Sequence, residues 1–336
     1  MAEASAEKRK DEVGSGSRPR LCVVIDTEEE FDWSQPLARE NRSVRSIAAQ
    51  PRAQEIFARY GIIPTYVIDY PVANDPEAAG ILREFQDSGT ALIGAHLHPW
   101  VNPPHEERVC PTNSYPGNLP PALEETKLRR LTETIESAMG RRPLVYKAGR
   151  YGLGPNTPEI LARLGYTVDL SIVPYTSFSA DGGPDFSHET PWPRRLGPGG
   201  EILGLPLSVG FAGALRRRGP TLYPVVSRKW GMRLHAPGVL ARSRLLERIR
   251  LTPEGIDVDA QIRLTTALLK DGVTIFNYAY HSPSLEPGHT PYVLSERDLS
   301  RFLDSMDRYF DFFMTRLNGV PATPLELLAA NPARDG

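Results

Sequence analysis

From about residue 21 to 317 the chain alternates short apolar runs with longer amphipathic ones. The run "LCVVID" is followed by the helical stretch "RSIAAQPRAQEIFARYG", and "PTYVIDY" by "PEAAGILREFQDSG". "ALIGAHLH" leads to "PPALEETKLRRLTETIESAMG", an amphipathic helix that closes on Gly140. "LVYKAGRYG", "TPEILARLG", "TVDLSI", "EILGLPLS", "DVDAQIRLTTALLKDG" and "VTIFNYAYHSP" continue the pattern, and a final helix is expected at about 295–317. Strands that alternate with helices pair in parallel, with the helices packed over the sheet. Roughly seven strand candidates and the lack of a GxGxxG turn favour a (β/α) barrel. An open doubly wound sheet is the alternative. The stretches 100–120 and 210–250 interrupt the alternation and are expected to be insertions.

Residues 1–19 are polar, have no apolar segment of signal-peptide type, and are expected to form a disordered tail. Residues 20–330 then form one barrel carrying the insertion at about 210–250. No apolar run is long enough to span a bilayer, so the expected location is cytoplasmic. A net charge of -2 argues against nucleic acid as a partner. The two cysteines, Cys22 and Cys110, form neither a disulfide framework nor a CxxC metal knuckle.

Ionisable residues gather where the strands end. Asp26 and Glu28 follow the first, His96 and His98 end the third, Arg150 follows the fourth, Asp169 lies in the fifth and His281 closes the last. In a (β/α) barrel that end carries the active site. Residues i and i+2 of a strand share a face, so Asp26 and Glu28 should project together, His96 and His98 likewise, and Glu29 should point away and be dispensable. Two histidines and a carboxylate with one open position make a common catalytic zinc set. Taken singly, a Glu triplet is commonly a solvated loop, and an H-x-H pair is a weak signal. Their coincidence at matching strand ends is what points to a site.

With these motifs in view, the chain resembles the polysaccharide deacetylases of the NodB-homology type, carbohydrate esterase family 4, over about residues 21–328. It is most similar to variants that accompany bacterial exopolysaccharide and lipopolysaccharide genes. The resemblance implies a distorted (β/α)7-8 barrel, a divalent metal (usually zinc) and removal of acetyl groups from N-acetylated sugars. "IDTEE" matches the acidic pair, with Asp26 as general base and Glu28 as metal ligand; "GAHLHPW" supplies the ligands His96 and His98. "GRYG" offers Arg150 near the base and Tyr151 for substrate, "YHSPS" offers His281 as general acid, and Asp169 resembles the aspartate that tunes it. Trp100 and Tyr292 are candidate sugar platforms.

The motifs depart from the family in spacing. Asp-x-Glu replaces adjacent aspartates, the histidines stand two apart instead of four, and the proline of the arginine motif is absent. These departures keep a non-enzymatic glycan-binding protein on the same scaffold in play. Other rivals are a glycoside hydrolase built on Asp26 and Glu28 and a small-molecule amidase. Between 216 and 250, nine arginines and Lys229 stand against one acid, Glu247. Such a segment suits peripheral contact with an anionic membrane or a lipid-linked glycan.

Overall fold

The computed structural model describes residues 18–228, 231 and 233–330. Most of the expected tail, together with Lys229 and Trp230, lies outside them. Seven strands form the parallel sheet: β1 (Arg20–Thr27), β2 (Thr65–Ile68), β3 (Leu92–Leu97), β4 (Val145–Ala148), β5 (Val168–Asp169), β6 (Ile202–Gly204) and β7 (Ile275–His281). Their spatial order is β7-β1-β2-β3-β4-β5-β6, and every neighbouring pair is parallel. An antiparallel strand, Arg194–Leu196, lies on β6, and Val320–Pro321 pairs with β1. The sheet curls into an open (β/α) barrel, as the alternation predicts. Central strands are mostly apolar because helices cover one face and barrel contents the other; on β1, Leu21 to Ile25 are all buried.

The helices start and stop on local signals. α2 (Pro76–Asp87) begins on Asp75, whose carboxylate accepts from the Glu77 and Ala78 amides, with proline in the first turn. α3 (Pro121–Met139) ends on Gly140 at φ 69°, where a side chain would be strained. α5 (Val258–Lys270) and α6 (Glu296–Asp311) are capped by Asp257 and Ser295. α1 (Gln50–Arg59) and α4 (Thr157–Arg163) complete the cover. Outward-facing Tyr278 and Tyr280 of β7 pack on Tyr309 and Phe302 of α6, with ring centroids 5.2 and 5.5 Å apart.

No strand ladder joins β6 to β7 among the described residues. The chain leaving β6 crosses the gap instead. Ser208 donates its amide to Asn277 O at 3.1 Å, and its carbonyl accepts from Leu251 N at 2.8 Å. Leu251 O in turn accepts from Ala279 N at 3.2 Å. The basic insertion grows from this seam as an antiparallel hairpin, Val209–Ala212 with Glu247–Arg250. Helices Gly219–Val226 and Ala236–Arg242 lie between its strands. No helix of the described residues is long and apolar enough to cross a membrane.

Candidate active site

Strand register assembles the site. Asp26 lies opposite His281 across the β1–β7 pair, and His96 opposite Lys147 across β3–β4. Asp26, His96 and His281 open at the carboxyl end of the barrel into a cleft of about 900 Å³. At its floor the Glu28 carboxylate oxygen stands 3.4 Å from Nε2 of His96 and 3.4 Å from Nε2 of His98. The other ring nitrogens are engaged. His96 Nδ1 donates to Lys147 O at 2.9 Å, and His98 Nδ1 meets the Glu29 carboxylate at 2.7 Å. Both Nε2 atoms therefore turn toward Glu28, with a carboxylate and a carbonyl behind them, as at metal sites.

Glu28, His96 and His98 could hold a metal ion. Ligand bonds of about 2.0–2.1 Å in a tetrahedron put neighbouring ligand atoms roughly 3.3–3.4 Å apart, which is the spacing of Glu28 from each histidine. Charge points the same way. Glu28, Glu29 and Asp69 are fully buried around two imidazoles. Burial first, and Glu28 next to it, push the Glu29 carboxyl up to about 8 despite its bond to Asp69. Burial and Glu29 push Asp69 well above the carboxylate range. Burial holds His98 below its ordinary value, against the pull of Glu28, Asp69 and Asp26. One Glu29 oxygen has no hydrogen-bond partner. Burial thus favours the protonated form of the Glu29 and Asp69 carboxyls, and a divalent cation beside them would favour the ionised form.

Beside this group lie two oppositely poised pairs. Lys147 Nζ grips both Asp26 oxygens, at 2.5 and 2.7 Å, and both side chains are buried. Burial works to raise the Asp26 carboxyl, but Lys147, His96 and His281 together outweigh it and hold the group below the usual range. His281 Nε2 stands 3.6 Å from Asp26, and its Nδ1 meets Glu254 at 2.8 Å. Glu254 is itself fixed, accepting from His281 N at 3.0 Å and Ser284 Oγ at 2.6 Å. Burial works to lower the His281 ring, but Glu254, Glu28 and Asp26 carry it well above an ordinary histidine.

No known protein-family profile matches the chain, and no curated protein does. Solved structures do match. PuuE allantoinase superposes with a TM-score of 0.52 at 13% identity, over 94% of this chain and 92% of its own. A 4-alpha-glucanotransferase from Thermococcus litoralis gives 0.50 at 14% identity over 93% of this chain, which spans only 40% of that enzyme's length. A peptidoglycan N-acetylglucosamine deacetylase, Bc1960, gives 0.44 at 10% identity over 93% of this chain and 90% of its own. The fold is shared. At 13% and 14% identity the first two fix the deformed parallel barrel and leave the activity to the site itself.

The structure brings together Asp26, Glu28, His96, His98 and His281 as the strand ends predict. It separates three residues from their expected roles. Arg150 does not reach Asp26. Its guanidinium bonds Ser114 Oγ at 2.5 Å, pairs with Asp181 at 3.5 Å and lies over the Tyr115 ring, while Lys147 holds the expected base. Asp169 does not reach His281. It accepts from Ser171 N and Oγ at 3.0 and 2.7 Å, in the β5 strand, and Glu254 takes the place beside the histidine. Trp100 is only 1% exposed, stacked on the His98 ring at 4.2 Å, so it braces that ring instead of offering a free sugar face.

The exposed aromatic platform is Trp33, 5.1 Å from His281 and 5.8 Å from Tyr292. Tyr292 and Tyr151 do line the cleft. Glu29 is fully buried and meets Nδ1 of His98, whereas Glu28 stands at Nε2 of the same ring. It is therefore not a free surface group. Lys147 and Glu254 went unnoticed in the sequence. A lysine inside the strand "VYKA" was a usable signal; Glu254, in a loop, gave none.

Proposed function

We propose that this protein is a metal-dependent hydrolase that removes N-acetyl groups from a bacterial glycan or its lipid-linked precursor. The observation that carries the reading is the Glu28–His96–His98 triangle facing the Asp26–His281 pair across one cleft. Bound between those three side chains, a divalent metal such as zinc would supply Lewis acidity toward an acyl carbonyl and water. The remaining chemistry belongs to the chain. Asp26, kept ionised by Lys147, takes a proton from the attacking water. His281, kept protonated by Glu254, gives one to the departing amine, which is a poor leaving group as an anion. Trp33 and Tyr292 offer exposed ring faces for a sugar.

A glycosidase on Asp26 and Glu28 fits less well. It needs one carboxyl held protonated, whereas both are held below the ordinary range, Glu28 by His281, His96 and His98 against the effect of burial.

Metal content by mass spectrometry, with acetate release from N-acetylated oligosaccharides, tests the reading. The parent protein is expected to hold one divalent ion, and Glu28→Gln to lose it. Glu29→Gln should weaken metal affinity by about 10- to 100-fold, the usual effect of removing a carboxylate behind a ligand histidine. A parent protein that binds no divalent metal sinks the proposal. Bound metal with no acetate released would make it a glycan-binding protein on this scaffold instead.

Location enters the same proposal. Val225, Leu234, Val239 and Leu245 of the insertion are exposed, among arginines such as Arg218, Arg228 and Arg242. We read this face as resting on an anionic membrane surface, where each basic residue adds about 1 kcal/mol. Flotation with anionic vesicles at low salt should recover the protein, and neutral vesicles should not. Equal recovery with both removes the idea.

A further inference from the structure

Alternate residues of one segment line the cleft: Arg248, Arg250, Thr252, Glu254 and Ile256. In the strand Glu247–Arg250 this is simple alternation, with Ile249 buried on the other face. The segment thus forms a track that runs from two guanidiniums to Glu254, the residue that holds His281. Arg248 is fixed in place. Its Nη1 donates to Tyr175 O at 2.8 Å and Thr176 Oγ1 at 2.6 Å, and its guanidinium lies 5.4 Å from the Tyr223 ring centroid. Arg250 has no side-chain hydrogen bond or ion pair among the described residues.

Apart from the exposed Arg108, the charges lining the cleft show what is left over. Asp26 is matched by Lys147, Glu254 by His281, and Asp181 by Arg150. Glu28 belongs with the two metal-site histidines. No carboxylate among the described residues lies within ion-pair distance of Arg248 or Arg250. Two half-buried guanidiniums, one of them held rigid, thus face a cleft with no anion to meet. Arginine forks fit the paired oxygens of a carboxylate or phosphate, and a fork already ordered loses less entropy on binding.

We infer that the substrate carries an anionic group, a carboxylate or a phosphate, beside its acylated sugar, and that Arg248 and Arg250 bind it. The acylated sugar rests on the deacetylase reading; the anion site rests on the arginines alone. A carboxylate would make the neighbouring unit a uronic acid, and a phosphate would make the substrate a sugar linked through phosphate.

Calorimetry separates these. The probes are a neutral N-acetylhexosamine tetrasaccharide, a tetrasaccharide of the same length alternating N-acetylhexosamine with hexuronate, and a nucleotide-diphosphate N-acetylhexosamine. One of the two anionic probes should bind the parent protein about 10- to 100-fold more tightly than the neutral one, as charge-assisted bonds of about 1.5–3 kcal/mol imply. In Arg250→Gln that advantage should shrink, and in Arg248→Gln/Arg250→Gln it should vanish, with neutral binding unchanged. Arg250 makes no side-chain bond, so Arg250→Gln keeps the test informative if loss of the Arg248 contacts disturbs the hairpin. Equal binding of all three probes, or a preference that survives both substitutions, overturns the inference. Acetate release measured in parallel keeps the questions apart. An anion preference with no acetate from any probe fails the deacetylase reading and spares this one. Acetate from a neutral probe bound as tightly as the anionic ones does the reverse.

Discussion

Lys147→Met is expected to destabilise the protein by about 3–5 kcal/mol at neutral pH, because it leaves the Asp26 carboxylate buried without its partner. The ammonium bonds both carboxylate oxygens, and both side chains are buried. The sign of the pH dependence follows. In the parent, Asp26 titrates below its unfolded value. Its stabilising contribution is therefore present above the unfolded pKa and is lost as pH falls through the folded one. In the variant the unpaired carboxyl is raised instead, so it protonates as pH falls and part of the lost stability returns. The gap between parent and variant should thus be widest at neutral pH and narrow toward acid. Asp26→Leu/Lys147→Met, which removes both charges, should recover much of the loss. Urea unfolding at neutral and acidic pH measures all three. A single variant within about 0.5 kcal/mol of the parent, the range of an ordinary surface substitution, would show that the pair does not carry buried charge.

His281→Ala should keep the bound metal and lower turnover by about 10²- to 10⁴-fold, the span of a lost general acid. The ring contacts Glu254 and Asp26, and neither of its nitrogens joins the Glu28 triangle. Glu254→Gln probes the same step without removing the ring. Glu254 is the strongest influence raising His281 against burial. Without its charge the imidazolium loses its proton more readily, and the alkaline limb of the kcat/KM profile should move to lower pH. A structural role alone would lower activity at every pH and leave the limb in place. If His281→Ala loses the metal, the histidine is a ligand and the assignment fails.

The parts of this fold that rest on periodicity were legible in the sequence. Seven apolar runs became seven parallel strands, and the two-residue spacing of His96 and His98 put both rings on one face, as it did Asp26 and Glu28. What periodicity does not encode is which residues meet across the barrel. Lys147 reaches Asp26 from three strands away. A lysine in an apolar strand and an arginine just after it look equally eligible in sequence. The backbone decides between them, since Arg150 and Tyr151 take left-handed conformations at φ 53° and 59° at the turn, where Arg150 bonds Ser114 and faces Asp181. Glu254 was illegible for a related reason. It lies in a loop after the insertion, and only the seam between β6 and β7 brings it to His281.

That seam divides the chemistry into two mechanical halves. The triangle of Glu28, His96 and His98, and the Asp26–Lys147 pair, stand on or just past the ends of β1, β3 and β4, which belong to an unbroken ladder. His281 stands on β7, but Glu254, which raises its ring, arrives from the far side of the gap, over the hydrogen bonds around Ser208 and Leu251. A local opening of that closure would leave the Glu28–His96–His98 triangle as it is and strip His281 of its anionic neighbour. The charge of the His281 ring is thus conditional on closure, and a strip of chain with no ladder of its own works as the latch on a single proton.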